Sequence, residues 1–276
     1  MLEQMTNTPI MDNSLALWGL GQMGFAVKGP DAMIYIDPCL SDHVAEIAGD
    51  WWYRAYPPPI VPEAVTNADY YFISHEHGDH LDPLTVAGIA QASPQARFVT
   101  NGWSRDILLE MGYDAERIIT LISGERVQID DTSMFVTAVP GAHYEVLHEV
   151  GKGYRWIGFL IEWNGVTLYH AGDTIIYPDY IAQLQAFPPI DLAIMPVNGR
   201  DYYRETVANA IGNLLPAEVA QLARDMDWDM LIPGHNDLYP NNAIPDSEIV
   251  SALSHYAPQQ KYKLMKPAEL YYYVKS

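Results

Sequence analysis

Phe72-Ile73-Ser74-His75-Glu76-His77-Gly78-Asp79-His80-Leu81-Asp82 is the stretch whose reading decides the fold of this chain. The apolar run from Tyr70 to Ile73 leads into it and reads as a buried strand. Beyond the strand, His75, His77, Asp79 and His80 crowd into six positions. Residues two apart on an extended segment point the same way, so His75 and His77 can reach one ion, while Glu76 points away and is read as a non-ligand. Gly78 permits a tight turn, after which Asp79 and His80 can face a second ion. A strand opening into a loop of imidazoles and a carboxylate is what a metal site needs.

His-x-His-x-Asp-His after a hydrophobic strand resembles the signature of the metallo-β-lactamase superfamily of metal-dependent hydrolases. The resemblance implies an α/β fold, the αββα four-layer sandwich, with residues 1–276 as a single domain and a metal centre along one edge of the sheets.

Three further apolar strands end in residues of ligand type, each with a glycine just before the donor. They run into Pro140-Gly141-Ala142-His143, Tyr169-His170-Ala171-Gly172-Asp173 and Ile232-Pro233-Gly234-His235. Matched to the family's slots, His75, His77 and His143 hold one ion, and Asp79, His80 and His235 the other. Asp173 bridges them. His148 is an alternative to His143 but lacks the strand-end context. Asp37 ends a strand as either a hydrogen-bond acceptor behind a metal-bound histidine or a turn former. His170 is either a support or proton donor behind the ligands, or a structural residue.

An imidazole and carboxylate set without thiolate suits Zn²⁺, Mn²⁺ or Fe²⁺. Two such divalent ions polarise a carbonyl or phosphoryl oxygen and bring the pKa of water toward ~7. Asp79 is then both a ligand and the catalytic proton acceptor. In flavodiiron oxidoreductases of the superfamily a histidine slot is typically Glu; here that slot is His77, which favours hydrolysis over redox chemistry.

Composition narrows the partners. With 35 acidic against 15 basic residues, the formal net charge is −20. That is not the basic footprint of a nucleic-acid binder, and an acidic surface repels anions at long range. The single cysteine, Cys39, excludes an internal disulfide framework. Met1 to Asp12 is polar and shows no signal peptide. No apolar run reaches the ~18 residues of a membrane span. A cytoplasmic enzyme is the expectation, with a small-molecule substrate and neither nucleic acid nor membrane as partner.

From Ser14 to Pro38 the pattern is strand, turn, strand, turn, strand. Gly19-Leu20-Gly21-Gln22-Met23-Gly24 mimics a dinucleotide fingerprint, but a strand and not a helix follows it, so it reads as a hairpin. Trp51 to Pro59 ends in three consecutive prolines and forbids regular structure. Such a loop suits walling a pocket, covering a sheet edge, or packing against another subunit of a homo-oligomer, the structural roles being favoured. Helices are expected over 83–92, 104–111, 217–226 and 247–255. Strands are expected over 97–100, 117–121, 133–139, 191–197, 230–232 and 270–274. Asn164-Gly165 marks a hairpin between strands 156–163 and 166–170.

Longer strings resemble one branch, the L-ascorbate-6-phosphate lactonase-like hydrolases. They are Trp18 to Phe25, Ile36-Asp37-Pro38 with Leu40-Ser41-Asp42, Ser74 to Pro83, Tyr169 to Thr174, Pro196-Val-Asn-Gly-Arg200-Asp201, and Ile232 to His235. The branch implies a lactonase acting on a small anionic, phosphosugar-like lactone. Arg200, with Arg204, is expected to present a planar fork of donors to the substrate's phosphate or carboxylate; the alternative is an ion pair with Asp201 or Glu205. The rival enzyme reading is a phosphodiesterase or nuclease, including transfer-RNA processing types. The rival of another class is a non-catalytic metal-binding protein.

Overall fold

The computed structural model describes residues 1–207 and 209–275. In chain order the strands are β1 (Ser14–Gly21), β2 (Gly24–Lys28), β3 (Met33–Ile36), β4 (Tyr70–Ile73), β5 (Arg97–Thr100), β6 (Ile118–Thr120), β7 (Arg126–Gln128), β8 (Phe135–Pro140), β9 (His148–Glu149), β10 (Gly153–Tyr154), β11 (Ile157–Trp163), β12 (Val166–His170), β13 (Leu192–Pro196), β14 (Met230–Gly234) and β15 (Leu270–Val274). The α-helices are α1 (Leu2–Asn7), α2 (His43–Ala48), α3 (Pro83–Ala92), α4 (Gly102–Glu110), α5 (Tyr180–Gln185), α6 (Tyr202–Thr206), α7 (Pro216–Asp225) and α8 (Asp246–Tyr256).

Two mixed sheets carry the fold. One has the order β15-β1-β2-β3-β4-β5-β6, the other β14-β13-β12-β11-β8-β7. Alternation along the strands explains the layers. Leu15 and Leu17 of β1, Phe25 and Val27 of β2, and Phe72 of β4 face inward. There they meet Val136, Phe159, Ile161, Leu168 and Ile194 of the second sheet. The alternate residues of β1, β3 and β4, Ala16, Trp18, Tyr35 and Tyr71, turn outward and pack on Val86 and Ile89 of α3 and Leu108 of α4. On the far side Leu160, Tyr169, Ala193 and Leu231 meet Leu184 of α5, Val219 and Leu222 of α7, and Ile249 and Leu253 of α8. Helix, sheet, sheet, helix is therefore the αββα order expected.

Local chemistry sets the ends of elements. Asp82 caps α3, accepting from the backbone N–H groups of Leu84 and Thr85, and Pro83 stands in the first turn. Asn101 caps α4 by accepting from Ser104 N–H at 2.8 Å, so that helix opens at Gly102, earlier than residue 104. At the β11–β12 turn Asn164 and Gly165 both take positive φ, 51° and 76°, as the mirror-image hairpin turn demands. Sequence periodicity did not foresee β7, the two-residue strands β9 and β10, or the short helices α1, α2, α5 and α6, which are too brief to carry a period.

Strand direction gathers the site. β3 and β4 run parallel, as do β12, β13 and β14. β8 is antiparallel to β11, which is antiparallel to β12, so β8 also ends at the same rim. β2 runs opposite to β3, which brings the β1–β2 turn to that rim as well. Among the described residues no helix is long and apolar enough to cross a membrane.

Candidate metal centre

Each functional side chain leaves the rim at a strand end. Asp37 follows β3; His75, His77, Asp79 and His80 follow β4; His143 follows β8; Asp173 follows β12; His235 follows β14. Donor atoms of His75, His77 and His143 lie within 4.8 Å of one another, and so do those of Asp79, His80 and His235. A third group, His75, His80 and Asp173, overlaps both. Asp173 spans the middle: its Oδ1 is 3.3 Å from His80 Nε2, and its Oδ2 is 3.3 Å from His143 Nε2 and 3.1 Å from His235 Nε2. The approach of Asp173 depends on Gly172, at φ 59°, where a Cβ would meet Ile157 O at 2.7 Å and Ser74 Cβ at 2.9 Å.

The hydrogen bonds behind these donors fix which ring nitrogen faces inward. His80 Nδ1 donates to Asp37 Oδ2 at 2.8 Å, leaving His80 Nε2 with no partner although it is buried. Ser74 Oγ–H donates to Asp37 Oδ2 at 2.5 Å and lies 3.0 Å from His75 Nδ1, leaving His75 Nε2 orphaned too. His143 Nε2 and Asp173 Oδ1 are likewise buried and unpartnered. Unpaired buried polar atoms are costly, and their convergence here is the pattern of a divalent-cation ligand set. The residues present therefore fit the metal reading.

Charge is shared accordingly. Burial holds the imidazoles of His75 and His77 below their ordinary value. Burial acts the same way on His80 and His235, but the carboxylates of Asp173 and Asp79 override it, raising His80 well above the usual range and His235 to about 9. Burial alone would raise Asp79 and Asp173; facing histidines outweigh it and hold both carboxylates well below theirs.

Gln22 is a member of the site that sequence reasoning missed. It sits in the β1–β2 turn at φ 57°. Its backbone N–H donates to Asp237 Oδ1 at 2.9 Å, and its carbonyl accepts from His235 N–H at 2.9 Å. Held at both backbone groups, its side-chain amide donates to Asp79 Oδ2 at 2.8 Å. Its only sequence signal was the same branch-like string that held the false fingerprint.

Other expected residues fall elsewhere. His170 lies beneath the centre, its Nε2 bonded to Met23 O at 2.8 Å and its Nδ1 accepting from Gly172 N–H at 3.2 Å. Both ring nitrogens are engaged, so it supports the Asp173 loop and has no free position for proton donation. His148 is exposed on β9, edge-on against Tyr154, and is not among the clustered donors. Glu76 pairs with Arg155 at 2.5 Å and not with the cluster.

Arg200 and Arg204 both enter ion pairs. Arg200 forks onto Glu218, with Nη1–Oε2 2.8 Å and Nη2–Oε1 2.6 Å, and donates to Asn213 O. Arg204 pairs with Asp201 and donates to Asn198 O at 2.7 Å. Both guanidinium groups are taken up by the protein's own acceptors, and neither lines the cleft. That cleft, of about 460 Å³, opens over His77, Asp79, His143, Asp173 and His235. Trp52 of the proline-rich excursion stands in its wall, packed edge-on against Tyr239 at 5.5 Å.

Residues 33–236 match the model of the β-lactamase superfamily domain. The chain is 26% identical over 225 residues to a UPF0173 metal-dependent hydrolase of Thermococcus kodakarensis, covering 80% of this chain and 84% of that one. It is 24% identical over 208 residues to a protein of Escherichia fergusonii named "Probable L-ascorbate-6-phosphate lactonase", covering 71% of this chain and 56% of that one. Among solved structures it is similar to Igni18, a metallo hydrolase of Ignicoccus hospitalis, with a TM-score of 0.73 at 18% identity over 95% of this chain and all of the other. At that identity the likeness speaks for the fold.

Proposed function

This chain belongs to the β-lactamase superfamily and is a metal-dependent hydrolase, and from that premise we propose that it opens a lactone or related small ester at a two-metal centre. The observation that carries the reading is the overlap of the donor groups through His75, His80 and Asp173. One carboxylate with both oxygens directed at different histidines is the arrangement a bridging ligand needs.

Divalent ions at these donors, zinc or manganese in our reading, supply polarisation of the scissile carbonyl and activation of water. The remaining work belongs to the chain. Asp79, the one donor carboxylate with a partly open side chain, accepts the proton of the attacking water. Gln22 holds Asp79 in place through its amide. Asp37 and Ser74 hold the rings of His80 and His75 through Nδ1 and so aim their Nε2 atoms at the centre. The lactone preference draws on similarity to the lactonase and on the shared strings. A phosphosugar has no side-chain cation to lean on, since no lysine or arginine among the described residues lines the cleft; the substrate is an ester ring without a phosphate.

The test is purified, metal-reconstituted protein against lactone, phosphodiester and β-lactam reporters. Turnover of the lactone above the other two is expected. Preference for the phosphodiester would overturn the proposal in favour of its enzyme rival.

A further inference from the structure

Above the donors, the wall of the cleft is made of carbon. α2 turns Val44, Ile47 and Ala48 to one face, at the i, i+3, i+4 spacing of a helical stripe, and all three line the cleft. No residue of α2 is fully buried, so this apolar face is not spent on the core. Val44 and Trp52 rest on a small cluster of Cys39, Leu238 and Tyr239. Ile47 stays 67% exposed and Ile211, which also lines the cleft, 42%. Large apolar side chains that line a cleft over a reactive centre and stay open to water mark a ligand surface.

Charge points the same way. The cleft's polar lining beyond the donor residues is Asn209 and Asn242, and Asn242 already accepts from Asn198 Nδ2 at 3.0 Å. The nearby Arg54 spends Nη1 on the carbonyls of Cys39 and Ser41, and its Nη2 is buried without lining the cleft. With a net charge of −20, the surroundings repel anions.

We infer that the substrate is a neutral ester or lactone carrying an apolar chain or ring, whose carbon body lies between Ile47, Trp52 and Ile211 while its carbonyl reaches the donors. This rests on the hydrolase reading above and names the substrate class for it.

The test uses binding, so that it does not depend on turnover. γ-Lactams, hydrolysis-resistant relatives of γ-lactones, with ethyl, butyl and hexyl tails are titrated calorimetrically into the metal-loaded protein. Affinity is expected to rise about fourfold for each added methylene removed from water, until the cleft is filled. A phosphate-terminated lactam of equal length is expected to bind about tenfold more weakly. Ile47→Asn and Trp52→Ala should flatten the dependence on tail length, with metal content verified in each. No dependence on tail length in the wild type, or tighter binding of the phosphate form, would overturn the inference. Tail-dependent binding with no hydrolysis of the matching lactones would uphold the apolar cleft and sink the ester-hydrolase reading. Hydrolysis of short lactones without tail dependence would do the reverse.

Discussion

Gln22 Nε2 lies 2.8 Å from Asp79 Oδ2 and donates to it, tying the first hairpin of one sheet to the reactive carboxylate after β4. The same nitrogen is 3.2 Å from Nδ1 and 3.0 Å from Nε2 of His235. A position nearly equidistant from both ring nitrogens lies over the ring face and in the plane of neither lone pair, so the directed bond is the one to Asp79.

Replacing that amide should therefore act through Asp79. Gln22→Leu removes a hydrogen bond to a charged acceptor, worth about 1.5–3 kcal/mol, and is expected to lower kcat/KM by roughly one to two orders of magnitude. Gln22→Glu sets a second carboxylate beside Asp79. A like charge raises the Asp79 pKa, and the proton acceptor must be ionised, so the acidic limb of the pH–rate profile should move to higher pH. A Gln22→Glu profile superimposable on wild type would show that the bond to Asp79 has no bearing on the reaction.

Asp37 governs His80 by holding its Nδ1 proton from a fully buried position. Asp37→Ala is expected to weaken metal binding about 10–100-fold, the usual consequence of removing the group behind a ligating histidine. Asp37→Asn, which keeps an acceptor oxygen, should lose less. Competition against a fluorescent chelator reads both; equal affinity in the alanine variant and the wild type would contradict the role.

Metal-free protein should be most stable near pH 6.5. His75 and His77 have folded-state values below the ordinary 6.5 because they are buried. Their contribution is present above 6.5 and is lost as pH falls below it. His235 behaves oppositely, its value raised to about 9. Its contribution is complete below 6.5 and is lost as pH rises through 9, a change of roughly 3 kcal/mol at most. Metal binding wants the imidazoles unprotonated, so stabilisation by added metal should grow over the same interval. Thermal melts of chelator-stripped protein from pH 5 to 9.5 check this, and a Tm that climbs steadily to the alkaline end would contradict it.

Arg200 is expected to act on the fold and not on substrate charge. Its fork onto Glu218 ties the loop after β13 to α7, with both side chains about a quarter exposed. Arg200→Ala should cost about 1 kcal/mol, read as a Tm lower by roughly 2–4 °C. It should change kcat/KM for anionic and neutral lactones by the same factor. A loss confined to the anionic substrate would restore Arg200 to the binding site.

Legibility in the sequence followed range. His75 to His80 could be read because six adjacent positions carry the donors, and His143, Asp173 and His235 because each follows an apolar strand and a glycine. Gln22 could not, since its partner Asp79 is 57 residues away and only the hairpin register brings them together. The partner of Arg200 is hidden for the same reason: Glu218 sits 18 residues on, across a turn of fold that no local pattern reports. The apolar wall was invisible because α2 is six residues long, too short for a period to register. Trp52 lies in the proline-rich excursion, and its place in the cleft wall depends on packing against Tyr239, far along the chain.

The most direct test of the central claim is a metal titration of chelator-stripped protein with Zn²⁺ or Mn²⁺, following lactone hydrolysis and bound metal together. The account predicts activity that is absent without metal and saturates at about two equivalents per chain, the stoichiometry of a paired-ion site. It also predicts that Asp79→Asn, checked for bound metal, remains slower by roughly 10²–10⁴. Hydrolysis that persists in the stripped protein, or a folded protein that takes up no metal at these donors, would contradict it.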